Sequence, residues 1–184
     1  MRGTHARLKT VLRGNKSASN AVKTGKMVEI NWNQADNAYV LQCEVTLPVS
    51  REQLFKFFSD AFQLEQITPP WLNFRVQTEA PINIAPGTLI DYKLRLRGIP
   101  IRWRTEIATW DPPQSFTDRQ LKGPYYLWDH FHTFETVEGG TLVKDRVKYR
   151  VPGGALTNFL LVQNDLKRIF RYRRQRMIEL FGKI

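Results

Sequence analysis

Alternating apolar and polar positions predict a largely antiparallel sheet. Mostly apolar side chains recur at every second position in segments 39–47, 90–96, 101–107 and 143–151, with Thr105 and Asp145 as the polar exceptions. In the second and third of these segments the intervening positions are mostly charged, as is typical of strands with one covered and one solvent-facing side. The Gly139-Gly140 pair predicts the hairpin turn that leads into the last segment.

Helical patterns appear after the first strand and at the C-terminus. Ser50 and Gln53 form a capping-box signature, and Thr68-Pro69-Pro70 ends a second short helix, because proline disfavours helix in the preceding residue. The long final helix has a predicted apolar stripe of Phe159, Val162, Leu166, Ile169, Phe170, Met177 and Leu180. The predicted fold class is α+β, in which a curved antiparallel sheet of about seven strands wraps around this helix.

The chain of 184 residues is long enough for a single domain, predicted at 35–184. Residues 1–34 show no sustained periodicity and are predicted to form a basic, flexible N-terminal tail. An organelle-targeting segment is the alternative interpretation of this tail. Cys43 alternates with apolar residues, so it is predicted to be a buried hydrophobe, and no oxidising compartment is required.

The net charge of +11 lies at the two ends of the chain. Residues 1–26 contribute +7 and residues 167–184 contribute +6, which leaves −2 for the middle. A nearly neutral body argues against a dedicated nucleic-acid groove, so no nucleic-acid partner is predicted. We expect a cytoplasmic monomer, with peripheral contact to anionic membranes through the basic termini as an additional hypothesis.

Candidate chemistry concentrates in segment 110–135. At a period of two, one strand presents Phe116, Asp118 and Gln120, and the next presents Trp128, His130, His132 and Phe134. Aromatic side chains with a few ionisable groups on one sheet face are what a ligand pocket requires.

The two histidines of this segment permit more than one interpretation. His130 and His132 share a strand face, so they could bind zinc or iron with Asp118 or Asp145 as a third ligand. Pairing of the histidines with these carboxylates is favoured instead, and neither a metal nor another cofactor is predicted. Such a pair would orient a ligand, satisfy its own hydrogen bonds, or act as general acid or base.

Many of these positions also form a combination that resembles a known family. They are Leu47-Pro48, Phe55, Phe58, Leu64-Glu65, Ile67-Thr68-Pro69-Pro70-Trp71, Gly98-Ile99-Pro100, Trp103, Trp110-Asp111-Pro112-Pro113, Phe116, Asp118, Gln120, Gly123-Pro124-Tyr125, Trp128, His130, His132, Phe134, Asp145, Tyr149, Pro152-Gly153-Gly154, Ile169-Phe170 and Tyr172-Arg173. The chain resembles the START/Bet v 1-like SRPBCC superfamily, which includes polyketide cyclases and ubiquinone-binding START proteins. Within it, the chain looks most like the bacterial domains related to the N-terminal part of epimerase-like cell-division-inhibitor proteins. The resemblance implies a helix-grip fold with a ligand cavity under the C-terminal helix.

The predicted function is binding or carriage of a hydrophobic small molecule, such as a lipid, quinone, isoprenoid or polyketide-like compound. The residues predicted to bind it are Trp71, Phe74, Tyr92, Leu94, Trp103, Thr105, Phe116, Asp118, Gln120, Tyr125, Trp128, His130, His132, Phe134, Asp145 and Tyr149. A non-catalytic role is favoured. The alternative is a cyclase or dehydratase in which His130, His132, Asp118 and Asp145 supply the general acid and base.

The basic ends generate a first testable prediction. The full chain should sediment with anionic liposomes more than with neutral ones, because each basic residue near an anionic surface contributes about 1 kcal/mol. High salt, which screens surface charge, serves as the control. Equal sedimentation with both lipids at low salt would contradict membrane contact through the termini.

Overall fold

The computed structural model describes residues 27–182, so most of the predicted tail, residues 1–26, lies outside the described range. The strands are β1 Glu29–Asn33, β2 Ala38–Leu47, β3 Arg75–Val76, β4 Leu89–Leu96, β5 Ile99–Asp111, β6 Ser115–Lys122, β7 Leu127–Val137 and β8 Gly140–Arg150. The α-helices are α1 Arg51–Phe58, α2 Leu64–Ile67, α3 Gly154–Thr157 and α4 Gln163–Phe181. Short 3₁₀ turns at Ala61–Gln63 and Pro70–Leu72 and a π-helical segment at Asn158–Val162 complete the helical structure. Within residues 27–182, no helix has the length and apolar character needed to cross a membrane.

The strands form one antiparallel sheet in the order β1-β2-β8-β7-β6-β5-β4-β3. Consecutive strands from β3 to β8 are neighbours, so this part of the sheet is a meander. The pairing of β2 with β8 brings the two ends of the fold together and places Cys43 opposite Asp145. The predicted antiparallel α+β architecture is therefore confirmed.

Strand β1 corrects one prediction. It lies inside the 1–34 segment that was predicted to be a tail. The sheet has eight strands with β1 included, in agreement with the expected number of about seven. The sequence pattern does not reveal it, because β1 is an edge strand whose residues are exposed or half-buried. Backbone pairing with β2 and the edge-on packing of Trp32 against Tyr39, with ring centroids 5.0 Å apart, hold it in place.

Helix α1 begins as the capping box predicts. The Gln53 N–H donates to Ser50 Oγ at 3.3 Å, and the Ser50 N–H donates to Gln53 Oε1 at the same distance. These bonds satisfy donors that would otherwise have no partner at the helix start. The helix buries Leu54, Phe55 and Phe58.

Helix α4 lies against the sheet, but its inner face differs from the predicted stripe. The buried residues are Leu166, Phe170, Arg173 and Met177, whereas Phe159 is 66% exposed and Leu180 is 39% exposed. The π-helical segment explains Phe159, because its wider turn changes the helical register before α4 begins. Leu180 lies in the last turn, where the helix reaches the edge of the core.

The apolar core consists of separate clusters around α4. The first lies near α1 and includes Val45, Leu47, Leu54, Phe55, Phe58, Ile67, Phe116, Phe134, Val143 and Met177. The second lies nearer the start of α4 and includes Val28, Leu41, Cys43, Trp128, Val147, Tyr149, Val151, Leu166 and Phe170. Burial raises the pKa of the Cys43 thiol to about 12, so this cysteine stays protonated, as expected for a core residue.

The second cluster contains a buried hydrogen bond whose contribution to stability can be measured. The Tyr149 hydroxyl donates to Asn158 Oδ1 at 2.8 Å, and both residues are buried. Replacing Tyr149 by Phe should lower the free energy of unfolding by about 1–3 kcal/mol, because the Asn158 oxygen loses its partner. Urea denaturation measures the difference.

A matched control uses the same substitution at the surface. Tyr126 is 74% exposed, so Tyr126→Phe should leave the urea midpoint nearly unchanged. Equal effects of the two substitutions would show that the Tyr149–Asn158 bond does not stabilise the start of the C-terminal helical region.

Candidate functional site

A cavity of about 160 Å³ lies between the sheet, α4 and the α2 region. Its wall is mainly aliphatic and aromatic. The lining residues are Leu64, Ile67, Thr68, Pro69, Leu72, Phe74, Tyr92, Leu94, Leu96, Trp103, Thr105, Asp118, Tyr125, Trp128, His130, Leu166, Ile169, Phe170 and Arg173. Asp118, His130 and Arg173 are the acidic, imidazole and cationic side chains among them.

Several residues that line this cavity carry hydroxyl groups. Thr105 is buried, and its Oγ1 accepts a hydrogen bond from Trp103 Nε1 at 3.0 Å. Burial raises the pKa values of the Tyr92 and Tyr125 hydroxyls, so both stay protonated. These groups can form hydrogen bonds to a ligand without adding charge.

Strand register brings four ionisable residues to the inner face of the sheet. Asp118 on β6 is opposite His130 on β7, and His132 on β7 is opposite Asp145 on β8. Since side chains two positions apart on a strand share a face, both histidines point to the same side. The result is one compact cluster of two histidines and two carboxylates.

The contacts within this cluster are short. His130 Nε2 lies 3.0 Å from Asp145 Oδ1, and its Nδ1 lies 3.6 Å from Asp118 Oδ2. His132 Nε2 lies 2.9 Å from Asp118 Oδ2 and forms a hydrogen bond with it. His132 Nδ1 is 2.8 Å from Asp145 Oδ1, but it is out of line for a hydrogen bond, so this is a close charge contact.

The two imidazole rings are neighbours, but each contacts a different apolar cluster. Their centroids are 3.8 Å apart. His132 stacks on Phe116 at 4.3 Å, in the first apolar cluster, while His130 meets Phe170 at 5.5 Å, in the second. The charged cluster therefore lies at the boundary between the first and the second apolar cluster.

Arg173 is the charged residue among the cavity-lining residues that were not predicted to bind the ligand, and the others are mainly apolar. It is only 9% exposed, its Nε lies 3.8 Å from Asp145 Oδ2, and its Cζ lies 5.3 Å from the centroid of the Phe58 ring. A signal for it exists in the sequence, because Arg173 follows Phe170 by three residues and precedes Met177 by four. That spacing places it on the buried face of α4.

The two histidines have different affinities for protons. Burial and the neighbouring His132 lower the pKa of His130. Burial also disfavours protonation of His132, but the carboxylates of Asp118 and Asp145 outweigh it and raise the pKa of His132. A proton that enters the cluster therefore resides on His132.

The carboxyl groups are held in their ionised form. Burial disfavours the charge of both, but His130 and His132 lower the pKa of Asp118. Arg173 and the same two histidines keep the pKa of Asp145 well below its ordinary value. With His132 protonated, two negative and two positive charges balance in this cluster.

The cluster also has the composition of a metal site. One potential ligand atom from each of Asp118, His130 and His132 lies within 4.8 Å of the others. An ion there would have to replace the hydrogen bond between His132 and Asp118 and would lie close to the Arg173 guanidinium. These contacts favour pairing of the side chains with each other, and the absence of a metal stays a prediction.

The structure places only part of the predicted ligand-binding set at the cavity. The predicted residues that line it are Phe74, Tyr92, Leu94, Trp103, Thr105, Asp118, Tyr125, Trp128 and His130. His132 and Asp145 do not line it and lie behind this wall, 2% and 3% exposed respectively. His132 contacts Asp118 and Asp145 contacts His130, so both affect the charge state of residues that line the cavity.

The other predicted residues lie elsewhere. Phe116 and Phe134 belong to the first apolar cluster, and Tyr149 is fully buried and stacked on Tyr39. Gln120 donates from Nε2 to the Tyr125 carbonyl at 2.7 Å and so supports a loop. Trp71 is 42% exposed, with the Arg168 guanidinium 4.3 Å from its ring centroid. Strand parity identifies an inner face, but it does not separate cavity wall from filled core.

Comparison with known proteins establishes the family and the fold. Residues 47–179 match the family described as polyketide cyclase / dehydrase and lipid transport. No functionally curated protein matches the chain.

Several solved structures are similar to the chain. Protein Ms6760 from Mycobacterium smegmatis is 16% identical, with a TM-score of 0.63 over 85% of this chain and 96% of that chain. Ara h 8.0201 is 19% identical, with a TM-score of 0.56 over 76% of this chain and 97% of that chain. The nucleoside-diphosphate sugar epimerase from Corynebacterium glutamicum is 23% identical, with a TM-score of 0.57 over 75% of this chain but only 28% of that chain.

These matches confirm the resemblance that the sequence motifs indicated. The matched segment extends from the end of β2 almost to the end of α4, so it includes the cavity wall and the ionisable cluster. The chain therefore belongs to the polyketide cyclase/dehydrase and lipid transport family of the SRPBCC superfamily, and it has the Bet v 1-like helix-grip fold of that superfamily.

Proposed function

We propose that this domain binds or carries a hydrophobic small molecule in the cavity between the sheet and α4. The observation that carries the proposal is the composition of the wall, which is aliphatic and aromatic apart from a few polar groups. Ligand sites typically combine such a wall with a few polar groups that fix orientation. Burial of apolar ligand surface supplies affinity at about 25 cal/mol per Å².

The dimensions of the cavity restrict the ligand. Its volume of about 160 Å³ is close to that of an engineered apolar cavity of about 150 Å³ that binds benzene. A second depression, of about 230 Å³, shares Leu72, Leu96 and Ile169 with the cavity wall. A ligand with one ring and a short substituent fits the cavity, whereas a longer lipid, quinone or isoprenoid chain would extend beyond this volume.

Filling the cavity tests this function. Leu94 lines the cavity and is 6% exposed, so Leu94→Trp should occupy the ligand volume and weaken binding of a neutral one-ring probe, 4-ethylbenzamide, about tenfold or more. Indole N–H signals of Trp103 and Trp128 in two-dimensional NMR report binding.

The control places the same residue outside the cavity. Leu121 is 51% exposed, and Leu121→Trp should leave the affinity unchanged. Equal affinities for wild type and Leu94→Trp, or no shift of the two indole signals with any apolar probe, would contradict binding in this cavity.

General acid–base catalysis of a cyclase or dehydratase type is a second candidate function. The observation in its favour is that His130 and Asp118 both line the cavity, while the lowered pKa of His130 keeps its imidazole available as a base. His132 lies behind them and holds the proton of the cluster. This candidate therefore depends on unequal protonation of the two histidines.

NMR titration of the imidazole Hε1 signals tests this difference. His132 should titrate above the ordinary histidine pKa of about 6.5, and His130 should titrate below it. Asp145→Asn should lower the pKa of His132, because it removes a negative charge that stabilises the imidazolium. A His5→Gln background removes the signal of the third histidine. The control is Asp129→Asn, which breaks a surface ion pair with Arg119 and should leave the pKa of His132 unchanged.

The sign of the linked stability change follows from these directions. The stability that His132 contributes is fully present below about pH 6.5 and is lost as the pH rises through its raised folded pKa. Asp145→Asn should reduce this contribution. Simultaneous titration of both histidines near pH 6.5 would remove the basis for the acid–base candidate.

The predictions on partners and location stay predictions. Membrane contact was predicted from the basic termini, and residues 1–26 lie outside the described range. The basic residues of α4 that are exposed, Arg168 and Arg171, are compatible with that hypothesis. The absence of a nucleic-acid partner is retained as a proposal on the grounds of charge distribution. A monomeric state and a cytoplasmic location also stay predictions.

A further inference from the structure

The cavity wall contains a buried cation with two unpaired donors. Arg173 lines the cavity and is 9% exposed. Its Nε and Nη2 are enclosed and have no hydrogen-bond partner among residues 27–182. Buried polar groups are almost always paired, and a charged group with unpaired donors requires an explanation.

The neighbouring protein groups do not supply the missing acceptor. Oδ1 of Asp145 is occupied by His130 at 3.0 Å and His132 at 2.8 Å. Oδ2 of Asp145 lies 3.8 Å from Arg173 Nε, which is beyond hydrogen-bond length. Phe58 covers one face of the guanidinium and offers a cation–π contact but no in-plane acceptor. Asp145 therefore balances the charge of Arg173 without satisfying its N–H groups.

We propose that the missing acceptor is a carboxylate of the ligand, so that the molecule bound in this cavity is a ring-sized apolar monocarboxylic acid anchored by Arg173. Nε and Nη2 lie side by side in the planar guanidinium, and two adjacent donors match the two oxygens of a carboxylate. Because both nitrogens are enclosed, binding requires the Arg173 side chain to turn these donors towards the cavity that it lines. The apolar part of the ligand then occupies the wall formed by residues such as Leu94, Trp103 and Trp128. This inference rests on the proposed function, because it assigns the ligand class of the same cavity.

Asp118 limits the charge that the ligand carries. Its side chain is 22% exposed, and it lines the same cavity as Arg173. Its Oδ2 accepts a hydrogen bond from His132, but the group remains anionic. Asp118 and Asp145 oppose any ligand carboxylate, but the unpaired donors of Arg173 hold the first one. A second carboxylate would meet the repulsion of Asp118 without such donors, so a monocarboxylate is preferred over a dicarboxylate.

Binding of matched probes tests this assignment. We compare 4-ethylbenzoate, 4-ethylbenzamide and the dicarboxylate terephthalate on wild type, Arg173→Gln, Arg173→Lys and the surface control Arg171→Gln, by NMR titration. Wild type should bind the benzoate about tenfold or more tightly than the amide or terephthalate. Arg173→Gln should weaken the benzoate by roughly 10- to 100-fold, the range for a hydrogen bond to a charged group, and leave the amide nearly unchanged.

The remaining variants separate recognition from folding. Arg173→Lys keeps a positive charge beside Asp145 but lacks the two-donor fork, so it should stay folded and bind the benzoate with intermediate affinity. Arg171→Gln removes an exposed charge from α4 and should behave as wild type. If the amide binds wild type as tightly as the benzoate, or if both Arg173 variants weaken the two probes equally, the assignment of a carboxylate is wrong although cavity binding stands. If neither probe binds wild type, the proposed function itself fails.

Discussion

The carboxylate of Asp145 lies between the sheet and the C-terminal helix, where it is only 3% exposed. Ionised groups lose several kcal/mol of hydration free energy when they are buried, and a site of this kind persists only if partners surround it. Those partners come from two layers, since both histidines are on β7 and Arg173 is on α4. The ion contacts thus connect helix and sheet at the place where the cavity interrupts apolar packing.

The position of this ionic group also explains the shape of the core. One apolar cluster fills the space towards α1 and another fills the space beneath the start of α4. The two clusters remain separate around Asp145. Charged groups cannot be covered by Leu or Phe alone without a large free-energy cost. His130, Asp118 and Arg173 lie at this boundary, so the cavity wall is partly polar at that place.

Most of the architecture could be predicted from the sequence, because strict alternation, a capping box and proline positions all act locally. Strand β1 could not, since an edge strand with little buried surface leaves no periodic signal. At the site, parity grouped Asp118, His130, His132 and Asp145 correctly on one face. It could not show that His132 and Asp145 lie behind the cavity wall, or that Arg173 joins them, because those relations depend on the packing of α4 and on the curvature of the sheet.

The π-helical segment Asn158–Val162 separates two parts of the chain that have different requirements. Downstream, Leu166, Phe170, Arg173 and Met177 must keep their angular relation to the sheet. Upstream, Leu156 is more than half exposed and carries no such constraint. Because a π turn accommodates one additional residue without breaking the helix, the residues upstream and the inner face of α4 need not share one helical register. The segment thus separates two registers, while its own buried Asn158 is held by the hydrogen bond from Tyr149.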